Sequence, residues 1–520
     1  MKDWWPRILV IGLLLIVVGV PFLLQPVAEK EVAAAPGQAA ARLVIITPHN
    51  EQIRYEMAHG FNRWRAAQNL PPVDFDWRSS GGTSDLRRMV FSLFAAQAQK
   101  GQEDAGIGID LFFGGGDYEH NVLAKGFEHP EKSGKRITLS VPIDLPAGLL
   151  QEVYPTPDIG GEPLYHPQLY WVGPVLSSFG IVYNRNVLLH IGQVEPQTWS
   201  DLEPFAFRRN VALGDPLHSG SVAAVYNAIL RRMGWTEGWA MLRRISANAR
   251  YFTDSASKVP VDVSAGETAA GMCIDFYGRF QAGAIGTQEL GYFGDDRVGY
   301  VSPVGLTLIN ADPISILRGA PSHELANQFV VWLLSKEAQR LWQRKLVAPD
   351  GPVRFELRRV PIRRDLYTPD EMQHWADELH PFEDARPFAP GMPHYYDGIK
   401  YVLHAMAIDI HDELQDAWDA INRMPGDDPR RERMLAMFDT MPPALTLTWP
   451  DDDLATNWRQ AMEDASHPRH AEAAQTLAQF WKGLSDHAGG WRDQDKLFEC
   501  RLAWTRFYRQ QYRQIIAMAK

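Results

Sequence analysis

From Leu43 onward, short apolar runs alternate with stretches whose apolar residues recur every three or four positions. Leu43–Thr47 (LVIIT) reads as a buried strand, and Glu51–Ala66 follows with Ile53, Met57, Phe61 and Trp64 at helical spacing. Val73–Trp77 alternates Val73, Phe75 and Trp77 like a half-buried strand; Arg78–Ser84 is a Ser/Gly loop, and Asp85–Ala98 a helix. Ile109–Phe113 is a third strand, and Gly114-Gly115-Gly116-Asp117-Tyr118 leads into another helix. Strand, loop and helix repeated in this way predict an α/β layout with a parallel sheet and crossover helices. Such sheets bind ligands at the carboxyl ends of their strands. The three loops at those ends each open a helix, whose free N–H groups and dipole favour anions or polar acceptors.

A second set of elements repeats the layout. Ser177–Tyr183 and Asn210–Leu213 read as strands; the latter runs into Asp215-Pro216-Leu217-His218-Ser219-Gly220-Ser221 and the helix Val222–Met233. Trp199–Leu202 is a helix start and Glu237–Asn248 a helix; Ala270–Phe276 is a strand ending at Asp275, Phe276 and Tyr277. Val298–Ser302 and Leu306–Asn310 are further strands, and His323–Gln343 one long helix. Two α/β lobes facing each other make a cleft, the usual place for a ligand. Trp171, Phe179 and Tyr292 serve equally as cleft wall or as core. From about Asp370 the pattern is helical only: Tyr395–Met424 is long and amphipathic, Asp427–Met441, Asp451–Ala465 and His470–Leu484 are shorter, and Trp491–Met518 closes the chain. Asp451-Asp452-Asp453 reads as a helix-start cap, since no calcium-loop spacing follows it. Arg501, Arg506, Arg509 and Arg513 share the last helix, as a solvated face or as a docking surface for a partner or anionic headgroups.

The front of the chain sets the compartment. Lys2 and Arg7 precede the unbroken apolar run Ile8–Leu24, which at ~1.5 Å per residue spans about 25 Å. This reads as a signal peptide or an uncleaved N-terminal anchor, followed by the small-residue stretch 33–41 as a signal-peptidase site or a flexible tether, and either places the body in the periplasm. The net charge of −11 argues against a nucleic-acid partner, and two cysteines, Cys273 and Cys500, exclude a disulfide scaffold or a Cys-rich zinc module and read as separate buried thiols. No Gly-x-Ser-x-Gly elbow, His-Glu-x-x-His or Walker loop is present. The expected organisation is a leader or anchor over 1–41, lobe 1 over 42–175 and 305–367, lobe 2 over 176–304, and an all-α extension over 368–520.

Seven segments in this order resemble the extracellular solute-binding proteins of ABC transporters, in particular the iron(III)/phosphonate/thiamine-type branch. They include LVIITPHNEQIRYEMAHGFNRW, GIDLFFGGGDYEHNVLAKGF, VALGDPLHSGSVAAVYNAIL and HELANQFVVWLLSKEAQRLWQ, and the stretch runs from Leu43 to Tyr367. The resemblance implies a two-lobed (type II) periplasmic-binding-protein fold. Its hinge would lie near Ser177–Tyr183 and Val298–Asn310, and it would capture a small polar or anionic solute for a membrane permease without chemistry or a resident cofactor. Carried over position by position, it implies ligand contacts at His49, Asn50, Ser80, Gly81, Gly82, Thr83, Gly115, Gly116, Asp117, Ser219, Gly220, Ser221, Asp275 and Tyr277. If the cargo is ferric iron, His49 and Tyr277 would be the metal ligands; the paired tyrosines of iron-binding members are here Phe276-Tyr277, and iron(III) prefers several hard anionic oxygens. An exported α/β hydrolase and a membrane-anchored ligand sensor are the competing classes.

Overall fold

A computed structural model describes residues 41–79, 81–102, 104–129, 134–286 and 296–520. The apolar run Ile8–Leu24 therefore lies outside the described residues, as do Ser80 and Tyr292; among the described residues no helix is long and apolar enough to cross a membrane. The chain divides into a small unit, 1–42 with Asn62–Asp74, and a large one, Leu43–Phe61 with Phe75–Lys520. In the small unit the Asn62 amide brackets Val73, donating to its carbonyl at 3.1 Å and accepting its N–H at 2.8 Å.

The large unit is built on two sheets. Within this unit the first has the order 75–78, 43–46, Leu111–Phe113, Ile314–Leu317, Ser140–Val141. Ile45 lies opposite Leu111 in a parallel pair, but Ile314–Leu317 runs antiparallel to Leu111–Phe113. The sheet is thus mixed where the sequence predicts a parallel one, because its fourth strand is a segment returning from the second sheet. That second sheet has the order Ala249–Thr253, Val211–Gly214, Ala270–Ile274, Val175–Asn184, Val298–Val301.

Val175–Asn184 is the longest strand, and all ten of its residues are buried; its polar members Ser177, Ser178 and Asn184 are each hydrogen-bonded. Its C-terminal half pairs with Ala270–Ile274 and Val298–Val301, and its N-terminal half with Ile309–Ala311 and Val360–Pro361. After Ala311 the chain passes directly into Ile314–Leu317 of the first sheet. The strand expected at Leu306–Asn310 is found later, at Ile309–Ala311. Thr307 is held by its side chain instead of by the ladder: its hydroxyl donates to the Phe179 carbonyl at 2.7 Å and accepts the Phe179 N–H at 3.3 Å.

Two long helices of the sequence reading are broken. His323–Gln343 becomes His323–Leu333 and Lys336–Leu341, because Ser335 stops the first and caps the second, accepting the Ala338 N–H at 3.3 Å. Tyr395–Met424 becomes Tyr396–Leu403, one wide π-turn at His404–Ile408, and His411–Arg423. The turn places the His404 ring 3.1 Å from Asp409 within the same segment and 3.0 Å from Asp215, which is far away in sequence and not encoded in the helical pattern.

The C-terminal helices share one hydrophobic core with the second sheet. Trp199, Tyr226, Trp235, Trp239 and Ile245 lie in the same buried cluster as Tyr395, Ile399, Phe438, Trp504, Tyr508 and Tyr512. Helix Trp235–Ala247 is buried on most of its circumference, as expected of a helix between two layers. Its polar groups are met from the tail: Trp235 Nε1 donates to the Leu445 carbonyl at 2.8 Å, and buried Arg243 donates to the Phe438 carbonyl and to the Tyr508 hydroxyl at 3.4 Å. Cys273 and Cys500 are separate, buried thiols, and Asp451 caps its helix by accepting the Leu454 N–H at 2.8 Å.

Candidate functional site

The carboxyl ends of strands from both sheets face one cleft of about 990 Å³. Three helices begin at its wall: Thr83–Gln99 and Asp117–Lys125 after strands of the first sheet, and Gly220–Met233 after Val211–Gly214 of the second. The first two have glycine N-caps, Gly82 and Gly116, which bring no side chain to cap their first turns; Asp85, one turn in, accepts the Gly82 N–H at 3.3 Å. Each start therefore presents backbone N–H groups and the positive end of a dipole. The glycines are sterically required at two points. A Cβ on Gly82 would sit 2.0 Å from the His218 carbonyl oxygen, so only glycine lets these two loops touch; Gly115, at φ +104°, would meet Thr83 Cγ2 at 2.3 Å.

His49 follows strand Ala41–Ile46 and is only 3% exposed. Its Nε2 lies 2.9 Å from Asp312 Oδ2 and 3.2 Å from Arg359 Nη1, and its ring packs edge-on against Phe113 at 4.5 Å. Arg359 is fully buried; it pairs with Asp312, donates to Ser177 Oγ at 2.7 Å and lies over the Phe276 ring at 4.2 Å. Burial lowers the His49 pKa against the opposing pull of Asp312. Burial would raise Asp312, but Arg359 and His49 outweigh it and hold the carboxyl well below its ordinary value. This leaves neutral His49 Nδ1 and Asp312 Oδ1 as buried atoms without a hydrogen-bond partner, and both residues line the cleft. Asp312 Oδ1 is an acceptor; His49 Nδ1 accepts when Nε2 donates to Asp312 and donates when Nε2 accepts from Arg359.

Asp117 begins its helix beside Glu162, and burial followed by the Glu162 charge pushes its pKa up to about 6. Glu162 itself is paired with Arg231 at 2.8 Å. On the opposite wall the Ser219 hydroxyl caps the helix through the Val222 N–H at 3.4 Å and lies 3.0 Å from Ser221 Oγ. Asp215, at the root of that loop, accepts from His404 and from the Leu217 N–H at 2.7 Å.

Of the sequence-predicted residues, His49, Asn50, Gly81, Gly82, Thr83, Gly115, Gly116, Asp117, Ser219, Gly220, Ser221 and Tyr277 line this one cleft. Ser80 lies outside the described residues. Asp275 does not line the cleft: it is fully buried, pairs with Arg279 at 3.1 Å, accepts from Ser178 Oγ at 3.2 Å and receives the Phe276 N–H at 2.8 Å. Its position at a strand end therefore serves the sheet beneath the site. Tyr277 and His49 are both present, but the Tyr277 hydroxyl donates to the Pro48 carbonyl at 3.4 Å, and burial raises its pKa to about 12. Phe179 lines the cleft; Trp171 is core, its Nε1 donating to the cleft residue Asn121 at 2.8 Å.

Among the described residues, Asp215, His218 and Asp254 have ligand atoms within 4.8 Å of one another, but Asp215 is engaged by His404 and Asp254 is exposed. Sequence reasoning missed Asp312, which lines the cleft, Arg359, which is buried behind it, and Tyr396 and Asp397, which reach the cleft from the C-terminal region. Only the Arg-Arg pair before Val360 and the Asp312-Pro313 step mark the first two, and no local pattern marks the others.

Residues 140–357 match the family profile of bacterial extracellular solute-binding proteins. This matched segment holds the long strand, most of the second sheet and Asp312. The chain is 23% identical over 170 residues to the phosphoglycerate transport regulatory protein PgtC of Salmonella typhimurium, covering 33% of this chain and 40% of that one, so it spans well under half of that relative. Among solved structures, the periplasmic binding protein AfuA of Actinobacillus pleuropneumoniae, with fructose-6-phosphate bound, is similar at TM-score 0.48 and 15% identity, over 73% of this chain and 98% of that one. Iron-bound HitA of Pseudomonas aeruginosa is similar at TM-score 0.46 and 15% identity, over 67% and 92%.

Proposed function

We propose that this protein is the periplasmic substrate-binding component of an ABC importer, and that its cargo is a small hydroxylated organic anion. The observation that carries the reading is the pairing of opposite needs in one cleft. Three helix starts offer N–H groups to an anionic group, while the orphan atoms Asp312 Oδ1, an acceptor, and His49 Nδ1 ask for hydroxyl partners. A phosphate or carboxylate on a polyol skeleton meets both, and the phosphoglycerate in the name of the relative PgtC has that chemistry. His49, Asn50, Gly81, Gly82, Thr83, Gly115, Gly116, Asp117, Ser219, Gly220, Ser221 and Tyr277 supply the grips, and the second sheet's Val175–Asn184 strand with its return segment supplies the hinge. Delivery to a membrane permease completes the role.

Ferric iron as cargo draws less support from the donor set. The Tyr277 phenol is held protonated by burial, and His49 Nε2 already faces Asp312 beside the Arg359 cation.

Thermal unfolding with 3-phosphoglycerate, fructose-6-phosphate, inorganic phosphate and ferric citrate tests this reading. A cognate ligand at a hundredfold excess over Kd adds about 2.7 kcal/mol of stability. The expected result is a higher Tm with an organic phosphate and a smaller response to inorganic phosphate. A shift with ferric citrate alone, or none with either organic phosphate, overturns the cargo assignment.

A further inference from the structure

The C-terminal region takes part in the cleft, although neither the family match over residues 140–357 nor the loops at the strand ends include it. Helix Tyr396–Leu403 is anchored on the second sheet's side. Tyr395, Ile399 and Val402 lie in the core shared with Tyr226 and Trp235, and the Tyr395 N–H donates to Asn227 Oδ1 at 3.0 Å. The first turn of the same helix grips the other side. Tyr118, on the helix Asp117–Lys125 of the first sheet, donates its hydroxyl to Asp397 Oδ1 at 2.5 Å, and its ring lies 4.5 Å from the Tyr396 ring. The Tyr396 hydroxyl lies 3.2 Å from the Gly220 carbonyl of one lobe and 3.4 Å from Glu119 Oε1 of the other. Glu119 is fully buried and fixed by Arg87 and by the Ser84 hydroxyl at 3.1 Å.

Two of the helices that open on the solute cleft, Asp117–Lys125 and Gly220–Met233, are thus fastened to each other through one turn of a third element that the solute-binding profile does not contain. We propose that Tyr396 and Asp397 are a clasp: they form a wall of the solute site and hold its two lobes in the closed arrangement, so that release of the solute requires the Tyr118–Asp397 and Tyr396–Glu119 contacts to break. This assignment rests on the cleft being the solute site. A hinge that closes only on its ligand gains its closed-state contacts from the ligand itself. Here part of the closing contact is supplied by the protein, which shifts the open–closed balance toward closed before any solute arrives and alters how much the solute can shift it.

The test reads lobe separation in the ligand-free full-length protein. Nitroxide labels at S92C, on the exposed side of helix Thr83–Gln99, and at V194C, which is 85% exposed beyond the second sheet, report the distance between lobes, while Cys273 and Cys500 are buried. The expected result is a narrow distance distribution in the parent and a longer, broader one in D397A and Y396F. Y118F should reproduce D397A, and the Y118F/D397A double variant should open no further than either single, since one bond is being removed twice. An unchanged distribution in D397A and Y396F, at unchanged circular dichroism, overturns the clasp. If a variant misfolds, Y118F, which alters the same bond from the other lobe, decides the question by the same readout. The distance needs no ligand, so a failed clasp is distinguishable from a failed cargo assignment, which the thermal panel with 3-phosphoglycerate reads separately.

Discussion

His120 shows how one residue beneath the site sets its response to pH. Its ring is fully buried, with Nδ1 2.7 Å from Ser315 Oγ and Nε2 3.2 Å from the Gly114 carbonyl. Burial lowers its pKa to about 4, against the raising effect of that carbonyl. The unfolded chain takes up this proton near the ordinary value of about 6.5, while the folded protein resists it until pH falls to about 4. The stability His120 contributes is therefore present above about pH 6.5 and is lost as pH falls, by about 3 kcal/mol at the lower limit. Denaturant titrations from pH 8 to 4 should show this decline, and H120Q should flatten it. A slope unchanged in H120Q would show that other groups carry the acid sensitivity. The loop it supports was legible in sequence from Gly114-Gly115-Gly116; the histidine was not, because a single imidazole on a helix has no pattern until Ser315 from a distant strand meets it.

At the scale of elements, strand–loop–helix order was readable because it repeats local periodicities of 2 and 3.6 residues. Breaks within helices were less so. Ser335 was a legible cap signal inside LLSKEAQ, overridden in reading by the continuous apolar spacing on both sides. The π-turn at His404 was not legible, since its cause is a network of Asp215, Asp409 and Arg501. Burial presses the His404 imidazole down, but the Asp215 and Asp409 carboxylates outweigh it and leave its pKa above the ordinary value. Its contribution is thus full below the unfolded pKa and is lost as pH rises through the folded one. H404Q should therefore cost more stability at pH 6 than at pH 9. It should also speed hydrogen exchange at the Leu217 amide, which donates to Asp215. Equal cost at both pH values would remove the ionic account of the turn.

At the scale of the molecule, the tail and the second sheet have one core, so they should unfold together. Trp504 is 2% exposed within it, and W504A should cost about 3–5 kcal/mol. Calorimetry should show the second-sheet transition moving down with that of the tail. A transition that moves alone, with the second sheet's Trp199 environment unchanged by fluorescence, would show the tail to be an independent domain.

The residue order by itself determined the α/β alternation, the glycine and serine loops at the strand ends and the helical character after Asp370, because each is written in neighbours a few positions apart. Tertiary structure alone decided three further features. It mixed the first sheet by sending Ile314–Leu317 back into it, set Asp312 and Arg359 beneath His49, and brought Tyr396 and Asp397 to Tyr118 and Glu119. Those contacts join residues separated by tens to hundreds of positions. Such contacts are selected by which buried charges and apolar faces find partners once the chain has closed, a condition that no local spacing records.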